Sequence, residues 1–343
     1  MDAPPVQYVT TSDGYSIAHA VSGQGQPVIF VPHRWSHVQL SWHSDILGDW
    51  WQELSARFQL VLFDHRGTGM STRGLRDAHT FEHYQRDLVA VIERLRLKRF
   101  VLFGSAQGAH VSTQYALRHP ENVTALVLMH PPLDFSVFRA PALYDTLPAQ
   151  DWNIFLRSVA ETPAQQEYLR QSISQDDWLR AVREFRQSSI EDALPNLRQP
   201  TLVLHAKDNP RLAVEESMNA ARLAHGQFAL IEGSRIMGDA LTGIRAIERF
   251  IASVTPDQTT APDVPQGWQP VAADPRDAMP VPLSSREIEV LRLLASGVSS
   301  REIAESLTLS VRTVERHIGN IYFKTNTHGR VQATAYAITH RLV

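Results

Sequence analysis

Arg312, Glu315, Arg316 and Gly319 fall on one side of any helix whose other side carries Val314, Ile318 and Ile321. On such a face a guanidinium such as that of Arg316 can donate to a guanine edge, and the Glu315 carboxylate can accept from the cytosine amino group. Those two contacts read G·C pairs in a major groove. Gly319 would let the backbone approach closely. Thr313 lies beside this face, and Arg301, Ser310, Asn320 and Lys324 are suited to phosphate oxygens, contacts that position a protein on the duplex without reading sequence. A solvated polar face on a purely structural helix meets the same pattern, so periodicity alone does not separate the two.

The elements that would position these residues are legible nearby. Ser284-Ser-Arg-Glu287 and Ser299-Ser-Arg-Glu302 both fit the Ser-x-x-Glu capping box, in which the hydroxyl and the carboxylate each satisfy a backbone N–H at a helix start. Ser310 opens a third helix. Ile288, Leu291, Leu294 and Ala295 form the apolar stripe of the first helix, and Ile303, Ala304 and Leu307 that of the second. Gly297 is placed to end the first helix, and Thr308-Leu309 to link the second tightly to the third. Two short helices joined in this way make a helix-turn-helix.

Charge is distributed unevenly. From Leu283 onward there are eight Lys/Arg against five Asp/Glu, while the remainder has 25 against 31, within a chain of net charge −3. A small basic module behind an acidic body suits a tethered nucleic-acid binder. With no cysteine in its 343 residues, the chain has no disulfide, thiolate metal site or cysteine nucleophile. His33 and His37 are spaced as a metal pair could be, but no third ligand accompanies them, so neither a metal nor another cofactor is expected. No apolar run approaches the roughly 20 residues of a membrane span, and the start lacks a basic segment followed by an apolar one. A cytoplasmic protein is expected, with no membrane partner.

In the first 250 or so residues, strand-like runs (Val28–Val31, Leu60–Phe63, Phe100–Phe103, Ala125–Met129, Thr201–His205, Phe228–Ile231) alternate with amphipathic stretches such as His83–Leu95 and Gly108–His119. This alternation predicts an α/β fold, a largely parallel sheet covered on both faces. Between about 133 and 197 the strand signal gives way to helix-like pieces rich in large apolar residues, which reads as a helical cap. The expected organisation is a body over 1–254, a linker over 255–282 containing seven prolines, and the small all-α module over 283–343.

The module resembles the LuxR/NarL-type helix-turn-helix from Leu283 through Ser310-Val-Arg-Thr-Val-Glu-Arg-His317 and on through a last helix over 329–340. That resemblance implies that the third helix reads duplex DNA and that the fourth commonly dimerises. The body, over residues 15–253, resembles the α/β-hydrolase fold. Val31-Pro-His-Arg-Trp-Ser-His37 stands where that family has its oxyanion-hole loop, Phe63-Asp-His-Arg-Gly-Thr-Gly-Met-Ser71 matches its Asp-x-Arg-Gly-x-Gly-x-Ser turn, and Gly104-Ser-Ala-Gln-Gly108 stands at its nucleophile elbow. The middle of the elbow pattern is the nucleophile, and here it is Ala106, with Ser105 displaced by one. The family's acid position falls on Asn209, although Asp208 is adjacent and a shift of one residue would restore it. The histidine position falls on Ile236, and no histidine lies between His225 and His317. Ser-His-Asp chemistry requires an imidazole to take the hydroxyl proton, so no catalytic residue is expected.

What the resemblance leaves is a pocket. His33, Arg34, Trp35, Ser105, Gln107 and Asn209 would give polar contacts, Ala106, Ile236 and Met237 the floor, and Trp152 and Phe155 parts of the cap. Arg34 would pair either with a ligand carboxylate or with a structural acid. The expectation is a one-component regulator in which a small, largely apolar effector (an acyl ester, a lactone, an aromatic catabolite) binds without turnover. Such a regulator would act as a homodimer on a two-fold operator, in quorum or catabolite sensing, with RNA polymerase as a further candidate partner. The alternatives are an active ester or C–C bond hydrolase fused to a DNA-binding domain, and a dimeric regulator that needs no ligand.

Overall fold

The computed structural model describes residues 2–254 apart from 76–79, 139–140, 161 and 234–236, and residues 283–342 apart from 297, 326, 328–332, 335 and 338–341. The linker expected over 255–282 therefore lies outside the described residues. The chain divides into two compact units, Met1–Gln258 and Thr259–Val343.

The first unit is built on an eight-stranded sheet: β1 (Gln7–Thr10), β2 (Ser16–Ser22), β3 (Pro27–Val31), β4 (Gln59–Phe63), β5 (Phe100–Ser105), β6 (Val123–Met129), β7 (Thr201–Ala206) and β8 (Gln227–Ile231). The spatial order is β1-β2-β4-β3-β5-β6-β7-β8, with β1 and β2 antiparallel and the rest parallel. All six expected strand runs lie within β3 to β8. The two antiparallel strands were not foreseen. β1 is an edge strand with no fully buried residue, and β2 is made largely of small residues around His19, so neither carries a strong apolar signal.

The central strands are buried on both faces, which explains their nearly continuous apolar sequences. The period of two still sorts their side chains. Val101 and Phe103 of β5 join the core that includes Trp50, Trp51 and Ile244, whereas Phe100 and Leu102 join the core with Leu88, Val91 and Tyr115. The first face is covered by α1 (Val38–Ser41), α2 (Gly48–Ser55) and the C-terminal helix of the unit. The second is covered by α3 (Phe81–Arg94) and α4 (Gln107–Arg118).

Between β6 and β7 the chain forms α5 (Pro141–Asp145), α6 (Leu147–Gln150), α7 (Trp152–Val159), α8 (Pro163–Ser172) and α9 (Gln175–Phe185). These are the helical cap. It is tied to the sheet end by Gly69 N–H donating to Ser172 O at 2.7 Å and by the Tyr168 hydroxyl donating to Trp35 O at 3.1 Å. The unit closes with α10 (Val214–Leu223) and α11 (Ala240–Val254). Among the described residues no helix is long and apolar enough to cross a membrane.

The second unit contains α12 (Ser285–Ala295), α13 (Ser300–Leu307) and α14 (Val311–Lys324). Both capping boxes form, Ser284 with Glu287 and Ser299 with Glu302. Thr308 ends α13 in the left-handed conformation, φ 55°. Gly297 and most of the expected fourth helix (329–340) lie outside the described residues, but Ala333 and Ala337 from that stretch are fully buried with Val290, Leu291, Ile303, Val314 and Ile321.

Candidate functional site

The elbow is defined by its backbone. Ala106, between β5 and α4, has φ 48° and ψ −112°, a region that L-residues enter at a cost of about 1–3 kcal/mol. Its N–H donates to Met129 O at 2.9 Å, which ties the turn to β6. Both flanking glycines are required by close approach. A Cβ on Gly104 would stand 2.6 Å from Ser112 Oγ, and one on Gly108 would run into the Val31 carbonyl. Ala106 thus occupies the apex of a strained strand-turn-helix, and its side chain carries no heteroatom.

A cavity opens above this apex at the C-terminal ends of the parallel strands, the usual ligand position in open α/β sheets. It holds about 870 Å³ of empty space, mouth included. The loop after β3 contributes His33, Arg34 and Trp35, the elbow Ser105, Ala106 and Gln107, the end of β6 His130, the loop after β7 Asn209, Arg211 and Leu212, and the segment after β8 Met237. The cap closes it with Tyr144, Val159, Tyr168 and Trp178.

Of the residues singled out for this pocket, eight converge on it: His33, Arg34, Trp35, Ser105, Ala106, Gln107, Asn209 and Met237. Ile236 lies outside the described residues. Trp152 and Phe155 do not line the cavity. Phe155 is fully buried and packs 4.9 Å from Trp178, with Trp152 behind it at 5.2 Å. One helical turn later, Val159 is the residue of α7 that reaches the cavity.

His130, Arg211, Tyr144, Tyr168 and Trp178 were not anticipated as cavity residues. The available signals were the end of an apolar strand run at Met129 for His130, the place two residues beyond Asn209 for Arg211, and the run of large apolar residues in the cap segment for Tyr168 and Trp178.

Asn209 is buried and its Oδ1 accepts from the N–H groups of Arg211 and Leu212 at 2.8 and 3.1 Å, whereas Asp208 is exposed. Asp208 is not among the residues that line the cavity. His130 is neutral, its pKa held well below the ordinary histidine value by burial first and by His205 and Arg211 next. Its Nε2 accepts from Ala206 N–H at 2.7 Å. His33 is pushed down to about 3, again mainly by burial, with Arg211 and Arg34 adding repulsion.

The Asp-x-Arg-Gly turn after β4 is structural. Asp64 accepts from Val38 and Met70 N–H at 3.0 and 2.9 Å, and Arg66 pairs with Asp87 at 2.8 Å and Asp13 at 2.7 Å.

In the second unit Arg301 is exposed, 3.4 Å from Glu305, and Glu315 is exposed. The Ser310 hydroxyl accepts from Thr313 N–H at 3.1 Å, so it acts as a helix cap. Thr313 is half-buried, while Val314, His317 and Ile321 turn into the core. Arg312, Arg316, Gly319, Asn320 and Lys324 lie along α14 with side chains outside the described residues.

Comparison with known proteins agrees with this division. Residues 281–337 match the family described as bacterial regulatory proteins, luxR family, and residues 27–155 match the alpha/beta hydrolase fold. The chain joins an α/β-hydrolase domain to a LuxR-type helix-turn-helix domain. Among curated proteins it is 28% identical over 238 residues, 61% of this chain and 84% of the relative, to a bifunctional esterase/perhydrolase of Acinetobacter calcoaceticus. It is 48% identical over 63 residues to the fimbriae Z protein of Salmonella typhimurium, a match covering 18% of this chain and 30% of that protein. Among solved structures, an esterase from a Rhodococcus species superposes with TM-score 0.58 at 22% identity, covering 73% of this chain and 99% of that one. At that identity the likeness concerns the fold alone.

Proposed function

We propose that this chain is a ligand-responsive, DNA-binding transcription regulator whose hydrolase-like domain holds a small, largely apolar molecule without turning it over. The observation that carries this reading is Ala106: the strained elbow φ is kept, the cavity above it is kept, and the apex residue has no atom that can attack a carbonyl. Asn209 in place of an acid supports the same reading, since an amide cannot hold an imidazolium as a carboxylate does. The helix-turn-helix would bind a two-fold operator as a homodimer. The ligand would act by binding the states of the protein with different affinities.

Turnover is the decisive measurement. Full-length protein and Ala106→Ser are assayed with p-nitrophenyl acetate and butyrate, and neither is expected to exceed the uncatalysed rate. Saturable hydrolysis that disappears on mutating a cavity residue would make the protein a hydrolase fused to a regulator, the reading favoured by its 28% identity to an esterase/perhydrolase.

A further inference from the structure

We propose that the cavity is built for an anion, specifically the carboxylate of a small apolar or aromatic acid, received by Arg34 beneath the cap. This rests on the ligand-binding reading above and names the chemical class of the ligand.

Arg34 is only 6% exposed, and its Nε and Nη1 are buried without a hydrogen-bond partner. Its contacts are aromatic faces: its guanidinium carbon lies 4.7 Å from the centre of the Trp178 ring and 4.9 Å from that of Phe185. Among the described residues no Asp or Glu pairs with it. Arg66 is the internal control. It is 2% exposed and held by two carboxylates, Asp87 and Asp13. Where this fold buries a guanidinium for structure, it supplies the counter-charge, because a desolvated and unpaired ion is strongly unfavourable. At Arg34 it supplies none, and the residue faces a cavity.

The surroundings favour the same sign of charge. Arg211 lines the cavity too, its guanidinium 5.1 Å from the Trp35 ring centre, and no Asp or Glu is among the described lining residues. The 12-residue helix α4 starts at Gln107, on the cavity wall. Ala109 N–H already donates to Ala106 O at 3.0 Å, but the positive end of the helix dipole lies at this wall and attracts negative charge. His33 Nδ1 is also buried without a partner and as an N–H would donate to an anion, whereas Gln107 Oε1, buried without a partner too, accepts and would meet a donor group of the ligand. The remaining walls, Trp35, Trp178, Tyr144, Tyr168 and Leu169, are aromatic or aliphatic and suit a hydrocarbon frame better than a hydrated phosphate or sugar. A guanidinium meets a carboxylate in charge-assisted hydrogen bonds, about twice as strong as neutral ones.

The test compares acids with their uncharged isosteres on the full-length protein by calorimetry and thermal shift. Benzoate, phenylacetate, hexanoate and octanoate are paired with the corresponding primary amides, on wild type, Arg34→Gln, Arg34→Met and Arg34→Lys. At least one acid is expected to bind about tenfold or more tightly than its amide, with the gap lost in Arg34→Gln and partly kept in Arg34→Lys. Independently of any ligand, Arg34→Met is expected to raise the Tm of the free protein by about 2–4 °C, because an unpaired charge leaves the interior.

Amides that bind as well as acids, or an acid preference that survives Arg34→Gln, would overturn the anion while leaving ligand sensing intact. A lower Tm in Arg34→Met would make Arg34 a structural prop on Trp178 and would overturn it as well. If none of the acids or amides binds, the anion proposal falls, and if neutral lactones and esters also fail to bind, the sensing reading falls with it.

Discussion

The Ser105 hydroxyl donates to the Met237 thioether, with Oγ 3.8 Å from Sδ. In a hydrolase of this fold a nucleophilic hydroxyl would meet an imidazole nitrogen that accepts its proton. A thioether is a weak acceptor and no base. The hydroxyl at this elbow is one residue early, and its partner cannot activate it.

The retained strain at Ala106 has a measurable consequence. Ala106→Gly should stabilise the protein by about 1 kcal/mol, because glycine adopts φ near +50° without the Cβ penalty that alanine carries, less its own extra chain entropy. Gly108→Ala should do the reverse, by about 2 kcal/mol or more, since its Cβ meets the Val31 carbonyl and that strand cannot move cheaply. Urea unfolding of the full-length protein reads both. An Ala106→Gly variant less stable than wild type would contradict the strained conformation.

Asp87 is fully buried against Arg66. Asp87→Asn removes one of the two counter-charges of Arg66 and should cost about 3 kcal/mol, while Arg34→Met should stabilise the free protein, in line with its expected rise in Tm. The opposite responses at two buried arginines, one deprived of a partner and one removed, read in the same unfolding assay, distinguish a structural guanidinium from a ligand-facing one.

Stability should fall on acidification through buried neutral histidines. His110 is pushed down to about 4 by burial, and its ring nitrogen Nε2 donates to Pro132 O at 2.7 Å. His33 is pushed to about 3. The unfolded chain takes up protons near pH 6.5, whereas the folded one does not until much lower, so stability is fully present above about pH 6.5 and declines below it. Each such group contributes a slope of about 1.4 kcal/mol per pH unit between the two values. His110→Gln should flatten the loss between about pH 6 and 4. A pH profile of the unfolding midpoint that is unchanged by this substitution would show that His110 does not titrate as a buried neutral group.

On DNA, Arg301→Ala should weaken binding across all duplex sequences alike and lower the slope of log affinity against log salt by about 1, as expected for one lost phosphate contact. Binding to operator and random duplex over a salt series measures it. A change confined to one sequence would assign Arg301 to base reading.

The helix-turn-helix was legible in the sequence because its signals are local. Ser284 with Glu287 and Ser299 with Glu302 act over three residues, and the hydrogen bonds they make need no tertiary partner. Gly104 and Gly108 are local signals too: set against the elbow pattern of the hydrolase family, their spacing placed Ala106 at the apex, and the apolar runs that became β3 to β8 were likewise visible within a few residues. Tertiary structure decided what converges. It put Phe155 into the core and Val159 and Trp178 at the cavity, buried Asn209 and left Asp208 in water, brought in His130 and Arg211 from loops 81 residues apart, and gave a counter-charge to Arg66 but not to Arg34. Those outcomes depend on contacts between segments remote in the chain, which a pattern read over a few residues does not contain.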